Sequence, residues 1–121
     1  MHEAVTIDEE ARCAVVTLRG ELDAHDAPRL KADLGSAIDQ AAGLASAPRV
    51  ALDLTGVAFL DSTVLGTIVG ALRRVREAEG ALAVVLPETP ARRIFEITGL
   101  DQVLAVQPTR ADAIAALAAA A

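Results

Sequence analysis

The stretch that decides the fold is residues 50–66, VALDLTGVAFLDSTVLG. Residues 49–54 are rich in Val and Leu, a composition typical of a strand in the centre of a sheet. Gly56 predicts a tight turn, and two large apolar anchors follow at 59–60. The polar triplet that comes next predicts a helix beginning near Ser62. Only in this strand–turn–helix does the sequence place reactive polar side chains directly after a buried strand, which would hold them in fixed positions.

The predicted helix is amphipathic, with an apolar arc of about 140° at 100° per residue. The arc contains Val64, Leu65, Ile68, Val69, Leu72 and Val75. Beside it Ser62, Gly66 and Gly70 form a strip of small residues. Each interior glycine costs a helix about 1 kcal/mol relative to alanine, which indicates that something approaches the backbone closely. Another helix of the same domain and a partner protein are both possible explanations.

Strand and helix patterns alternate along the rest of the chain. An N-terminal hairpin is predicted at 4–8 and 13–19, and a short extended piece follows at 20–23. Asp26 predicts the cap of the next helix, which has Pro28 in its first turn, an apolar face and Gly43 at its end. Gly80 predicts a left-handed cap after the glycine-containing helix.

Four elements are predicted beyond residue 80. They are a strand at 82–86, a short helix to Thr98 closed by Gly99, a strand at 103–106, and an alanine-rich helix at 109–121 capped by Thr109. The order of elements predicts an α/β fold with a mixed sheet of four to five strands and about four helices. We expect one domain over residues 1–121, with its core at about 4–107.

Composition narrows the class of protein. The 121 residues carry a formal charge of −6, which disfavours nucleic acid as a partner. Cys13 is the only cysteine, so it predicts a packed thiol rather than a disulfide or a metal site. No apolar run approaches the roughly 20 residues of a membrane span, and residues 1–10 do not resemble a signal peptide. We therefore expect a cytoplasmic protein.

Enzyme motifs are not evident. His2 and His25 are the only imidazoles, and neither lies beside a nucleophile signature. We find no zinc-ligand spacing and no phosphate-binding glycine loop, so we expect no metal and no cofactor. The carboxylates of Asp23, Asp26, Asp53 and Asp61 could converge, but isolated carboxylates are more often solvated or capping. The chain is expected not to be an enzyme.

Residues 53–66, DLTGVAFLDSTVLG, resemble the signature of STAS domains, specifically that of the bacterial anti-sigma factor antagonists. Two further segments agree with that family, GELD at 20–23 and FEITGL at 95–100. The resemblance extends over roughly residues 5–107. One departure is Val64, which stands where the family usually has glycine. Its position on the apolar arc allows it to pack inward.

The resemblance implies a phosphorylation switch. In this family an anti-sigma factor that is also a Ser/Thr kinase phosphorylates the serine after the motif aspartate, which is Ser62 here; Thr63 is the second choice. The unmodified antagonist binds the anti-sigma factor and frees the sigma factor, and a phosphatase restores that form. The resemblance and the small-residue strip together predict a partner surface made of Asp23, Asp26, Asp61, Ser62, Thr63, Gly66 and Gly70.

A second interpretation keeps the fold but not the switch. In it the chain is a constitutive STAS scaffold in a stressosome-like or lipid-transport assembly. Ser62 is then only a structural cap of the helix. The sequence does not identify the kinase, the phosphatase or the sigma factor, and it does not reveal the oligomeric state.

Overall fold

The computed structural model describes residues 4–119, which form five strands, four α-helices and one 3₁₀ turn. In chain order these are β1 (Val5–Asp8), β2 (Cys13–Leu22), α1 (Ala27–Ala42), β3 (Arg49–Leu60), α2 (Ser62–Glu77), β4 (Ala81–Val85), α3 (Pro90–Thr98), the 3₁₀ turn (Leu100–Gln102), β5 (Ala105–Gln107) and α4 (Arg110–Ala119). The predicted α/β class and the number of elements are confirmed.

The strands form one sheet in the order β1-β2-β3-β4-β5. The β1–β2 hairpin is antiparallel, as predicted, and the other three pairs are parallel. Each parallel pair is joined by a helical crossover, so the carboxyl ends of β2, β3 and β4 point the same way. Loops that follow those strands are therefore neighbours in space.

Helices cover both faces of the sheet. The larger core lies under α1, α2 and α3, and its fully buried side chains include Leu52, Ile68 and Phe95. The smaller core lies under α4, where Ala113 and Leu117 pack on the opposite face. Cys13 belongs to this smaller core with 1% of its surface exposed, and burial raises the pKa of its thiol. The predicted packed thiol is confirmed.

The predicted turn at Gly56 is wrong, because β3 continues through it to Leu60. The strand instead accommodates irregularities in its register with β2, and a Cβ at Gly56 would lie 3.1 Å from the Cβ of Arg19. Residues 20–22, predicted as a separate piece, are the end of β2, where Gly20 takes φ = 86°. Of the two predicted anchors, Leu60 is buried but Phe59 is 48% exposed.

Two predicted caps are also wrong. Asp26 occupies the position before α1 without a capping hydrogen bond, since its carboxylate accepts the Asp23 backbone N–H at 2.9 Å instead. After α2 the left-handed residue is Glu79 at φ = 60°, not Gly80. Gly80 is needed for a different reason, because a Cβ there would lie 2.0 Å from the carbonyl oxygen of Pro48. Gly99 has φ = 76° and closes α3 as predicted.

The end of the chain agrees with the prediction in outline. The last strand begins two residues later than predicted, because the backbone N–H groups of Val103 and Leu104 both donate to the Leu100 carbonyl oxygen and so continue the 3₁₀ turn. Thr109 accepts the backbone N–H of Asp112 at 3.1 Å and so caps α4. Residues 120 and 121 of the predicted final helix, and His2 at the other terminus, lie outside the described residues. Among the helices at 4–119, none is long and apolar enough to cross a bilayer.

Candidate functional site

The site is built where β3 meets α2. Leu60 is 1% exposed and anchors the end of the strand in the core. Asp61 keeps an extended backbone at φ = −95° and ψ = 179°, and its carboxylate accepts the Val64 backbone N–H at 3.0 Å. This is a helix N-cap, and within the polar triplet the capping oxygen comes from Asp61 rather than from Ser62. The cap fixes the position of the residues that follow it.

Ser62 and Thr63 are the first two residues of α2, and both side chains are exposed. Within residues 4–119 neither hydroxyl donates or accepts a hydrogen bond. Their backbone N–H groups lie in the first turn, where a helix has no internal acceptor for them. Val64 is fully buried, so the departure from the family's usual glycine points into the core and away from this surface.

The end of β2 brings the acidic loop to the same place. Leu22 is the register partner of Leu60, and its carbonyl oxygen accepts the Asp61 backbone N–H at 3.2 Å. The residues that follow Leu22 form a tight turn in which the Asp23 carboxylate accepts the His25 N–H at 2.9 Å. Asp26 closes that turn from the other side. The structure therefore places Asp23 and Asp26 beside the Asp61–Ser62 junction.

Gly66 and Gly70, the two glycines of the small-residue strip, face open space among the described residues. A Cβ added at Gly66 or Gly70 would meet no atom within 4 Å, apart from the backbone of its own helix, in the described part of the chain. Both glycines line a groove of about 360 Å³ between α1 and α2. Among the described residues, no second helix of the domain approaches the strip closely. Close approach of another helix, one of the two sequence-based explanations, is therefore not found at Gly66 and Gly70 in the described structure.

Sequence reasoning missed the α1 side of this groove. Leu34, Gly35 and Ile38 form that wall, and Lys31 and Arg74 contribute the charged groups. The signal in the sequence is weak, since Lys31 and Gly35 are simply one turn apart on a helix. Their relation to α2 depends on how the two crossover helices pack. Arg74 is held 3.6 Å from Asp39, which keeps it at the groove edge.

Asp53 does not join the other three carboxylates. It lies eight residues before Asp61 on β3, roughly 26 Å along an extended strand. It faces α4, where the Arg110 guanidinium donates to it at 2.8 Å and the Thr55 hydroxyl donates at 2.6 Å. Burial alone would raise the pKa of Asp53, but the hydrogen bonds from Thr55 and Arg110 and the charge of Arg110 lower it overall. This ion pair fastens the start of α4 to the sheet.

The arginines of α2 and α3 contact their own domain. Arg92 donates to the carbonyl oxygen of Leu86 at 2.7 Å, and Arg76 donates to that of Val103. Arg73 and Arg93 are exposed on the outer faces of their helices. Arg76 and Arg92 therefore hold neighbouring backbone segments, whereas Arg73 and Arg93 lie on solvated helix faces.

Known proteins resemble this chain in sequence and in fold. The STAS domain family model matches residues 4–113. The anti-sigma-B factor antagonist of Listeria monocytogenes is 33% identical over 92 residues, which are 76% of either chain. A crystal structure of an anti-sigma factor antagonist from Mycobacterium paratuberculosis is 30% identical and superposes with a TM-score of 0.77, covering 93% of this chain and 92% of that one.

A third relative is the Bacillus cell fate determinant SpoIIAA, whose structure in the phosphorylated form is 25% identical with a TM-score of 0.64. That likeness covers 92% of this chain and 96% of the other. The family match extends over most of the chain, and the motif that carries the resemblance forms the junction between β3 and α2. The chain belongs to the STAS domain family, and these relatives are anti-sigma factor antagonists.

Proposed function

We propose that this protein is an anti-sigma factor antagonist controlled by phosphorylation of Ser62. In its unmodified form it binds an anti-sigma factor that is also a Ser/Thr kinase, and the sigma factor is released. The kinase transfers a phosphoryl group from ATP to the Ser62 hydroxyl, and the modified chain no longer binds. A phosphatase hydrolyses the phosphoserine and restores the binding form. The chain itself is a binding module rather than an enzyme.

The observation that carries the proposal is the exposed hydroxyl of Ser62 at the start of α2. A kinase needs a hydroxyl that is accessible and free of internal hydrogen bonds, and Ser62 meets both conditions within the described residues. The related SpoIIAA has been solved in a phosphorylated form, which supports modification in this fold. Thr63 is also exposed, but it is one residue further from the aspartate of the motif.

The local electrostatics favour a switch that changes binding and leaves folding intact. A phosphate adds roughly −1.5 to −2 charges at pH 7. At the first position of a helix it faces the positive end of the dipole and the free N–H groups of the first turn. It also stands near the Asp61 carboxylate and in front of the glycine strip. A docked partner then meets added bulk, desolvation of a dianion and repulsion of its own acidic groups.

Phosphate mapping tests the acceptor residue. We expect incubation with ATP and the kinase-type anti-sigma factor of the source genome to add one phosphate, located by mass spectrometry on Ser62. Ser62→Ala should abolish the modification, whereas Thr63→Ala should leave it in place. Phosphate on neither residue, with an active kinase, would refute the regulatory part of the proposal.

A charge substitution tests the consequence for binding. Ser62→Asp should weaken binding of the anti-sigma factor at least 100-fold, about 2.7 kcal/mol, while the thermal midpoint changes little. Ser46→Asp is the matched control, because Ser46 is exposed in the loop before β3, at the opposite end of that strand. If Ser62→Asp bound as tightly as the control, the constitutive scaffold would become the better interpretation.

A further inference from the structure

We infer that the α1–α2 groove receives an acidic amphipathic helix of the partner. The inference rests on the proposed function, because the partner it describes is the anti-sigma factor. It adds what that function leaves open, namely where on the antagonist the partner is held and by which chemistry. It assigns a role to Lys31, which the motif itself does not include.

The shape of the groove fits a helix. From Thr63 to Arg74 the groove follows α2 for roughly 16 Å at 1.5 Å per residue, which corresponds to about three helical turns. Gly66 and Gly70 lie along the α2 side and meet nothing within 4 Å outside their own helix, so a partner backbone can approach α2 closely. On the α1 side a Cβ at Gly35 would lie 3.2 Å from the Arg74 guanidinium, which covers that position. The floor between the two helices is made of largely buried apolar side chains, among them Leu34 with 2% and Ala71 with 6% of its surface exposed. A helix that enters such a groove buries apolar side chains at a spacing of three and four residues.

The charge of the groove indicates which charge the bound helix carries. Lys31 and Arg74 are the only charged residues among those that line it, although the chain as a whole carries a formal charge of −6. Lys31 is also the only lysine of the sequence. The Arg74 guanidinium already lies 3.6 Å from the Asp39 carboxylate, so Lys31 is the groove cation that has no carboxylate partner among the described residues. Its ammonium is complementary to a helix that carries Asp or Glu beside its apolar face, and a basic helix would be repelled by it.

The same charges connect the groove to Ser62. Thr63 and Lys31 line the groove together, and Ser62 immediately precedes Thr63. A phosphate on Ser62 therefore adds negative charge at the lysine end of the groove. It competes with the partner's carboxylate for the Lys31 ammonium and repels that carboxylate. The partner is then displaced without any change in the packing of α1 on α2.

Crosslinking tests the predicted ion pair directly. A carbodiimide joins an amine to a carboxylate with loss of water, and the Lys31 amine is the only side-chain amine of this chain. In the complex with the anti-sigma factor we expect an amide between Lys31 and an Asp or Glu of a partner helix. Lys31→Arg keeps the charge and should retain binding within about threefold while losing the crosslink. A complex with no intermolecular crosslink at Lys31 overturns the inference.

Added bulk tests the groove independently. Gly70→Leu should weaken anti-sigma factor binding roughly 100-fold, and Gly66→Ala combined with Gly70→Ala roughly tenfold. Ala32→Leu is the control, because it adds a similar side chain to the exposed face of α1. Thermal midpoints should show that all variants are folded. Unchanged binding by Gly70→Leu overturns the inference.

Two further outcomes separate this inference from the proposed function. If Ser62→Asp abolishes binding while Gly70→Leu does not, the antagonist function stands and the groove is not the docking site. If Gly70→Leu changes only the sedimentation of the isolated chain, the occupant is a second copy of the chain, and the inference is wrong. Loss of binding in both variants, with the Lys31 crosslink in the unmodified complex, is the expected result.

Discussion

Replacing both strip glycines by alanine should make the protein more stable. In the interior of a helix Gly is less favourable than Ala by about 1 kcal/mol, chiefly because the unfolded glycine has more conformational freedom. A Cβ at Gly66 or Gly70 meets nothing within 4 Å outside the backbone of its own helix, so no clash offsets that gain in the described structure. The double variant should gain about 1 to 2 kcal/mol in the free energy of unfolding.

The expected change is large enough to measure by two methods. For a chain of this size about 1 kcal/mol corresponds to roughly 4 °C in the thermal midpoint, so we expect an increase of about 4 to 8 °C. Urea unfolding should give a higher midpoint with an unchanged dependence on denaturant, because the surface exposed on unfolding stays the same. Calorimetry at one scan rate and neutral pH provides the comparison.

Gly80→Ala is the internal control for this reasoning. A Cβ at Gly80 would lie 2.0 Å from the carbonyl oxygen of Pro48, which accepts the Ala81 backbone N–H at 2.9 Å. We expect that substitution to lower the free energy of unfolding by roughly 2 to 3 kcal/mol. A strip variant that is no more stable than the wild type would refute the reasoning, because it would mean that another part of the chain occupies the groove.

Three further predictions concern the Asp53–Arg110 pair, the cap at Asp61 and the thiol of Cys13. Arg110→Ala should lower the free energy of unfolding by about 1 to 2 kcal/mol at pH 7. Because the pKa of Asp53 is lowered on folding, the stability that its carboxylate contributes is present above about pH 4 and is lost as the pH falls through the folded pKa. Urea unfolding near pH 3 should therefore show a smaller difference between the variant and the wild type. Asp61→Ala should lower the free energy of unfolding by about 1 kcal/mol in the same assay. Asp61→Asn should lower it by only a fraction of that amount, because the amide oxygen still accepts the Val64 N–H. Cys13 should react with a thiol reagent no faster than the protein unfolds, since its side chain is buried.

Local patterns predicted most of the fold. The apolar faces of α1 and α2, the β1–β2 hairpin and the glycine after α3 all depend on spacing within a few residues, which the sequence displays directly. The cap at Asp61 belongs to the same group, because capping requires only a short polar side chain three residues before the N–H it accepts. The start of α2 at Ser62 was therefore predictable without any knowledge of the tertiary structure.

The predictions that were wrong involve contacts between distant segments. Gly56 suggested a turn because glycine is common in turns, but β3 continues through it since β2 offers an extended partner on that side. Gly80 suggested a left-handed cap, whereas its lack of a Cβ matters because Pro48 lies against it. The Asp53–Arg110 pair joins residues 57 positions apart. No local pattern indicates such a pair.

The end of β3 extends beyond β4, and this overhang explains how the site can be rigid and yet separate from the core. β3 pairs with β4 only as far as Asp53, whereas it pairs with β2 up to Leu60. The last part of β3 therefore extends beyond β4 on a two-stranded ribbon, whose end is held by Leu22 and Leu60 with 7% and 1% of their surfaces exposed.

Ser62 follows this anchored end directly, so its backbone is fixed while its side chain points into solvent. A group added to the hydroxyl touches no core side chain in the described structure, and the folding free energy changes little. It does change the charge at the lysine end of the α1–α2 groove. If phosphorylated Ser62 lowered the thermal midpoint as much as it weakened binding, the overhang would not isolate the site from the core, and regulation would act through unfolding of α2.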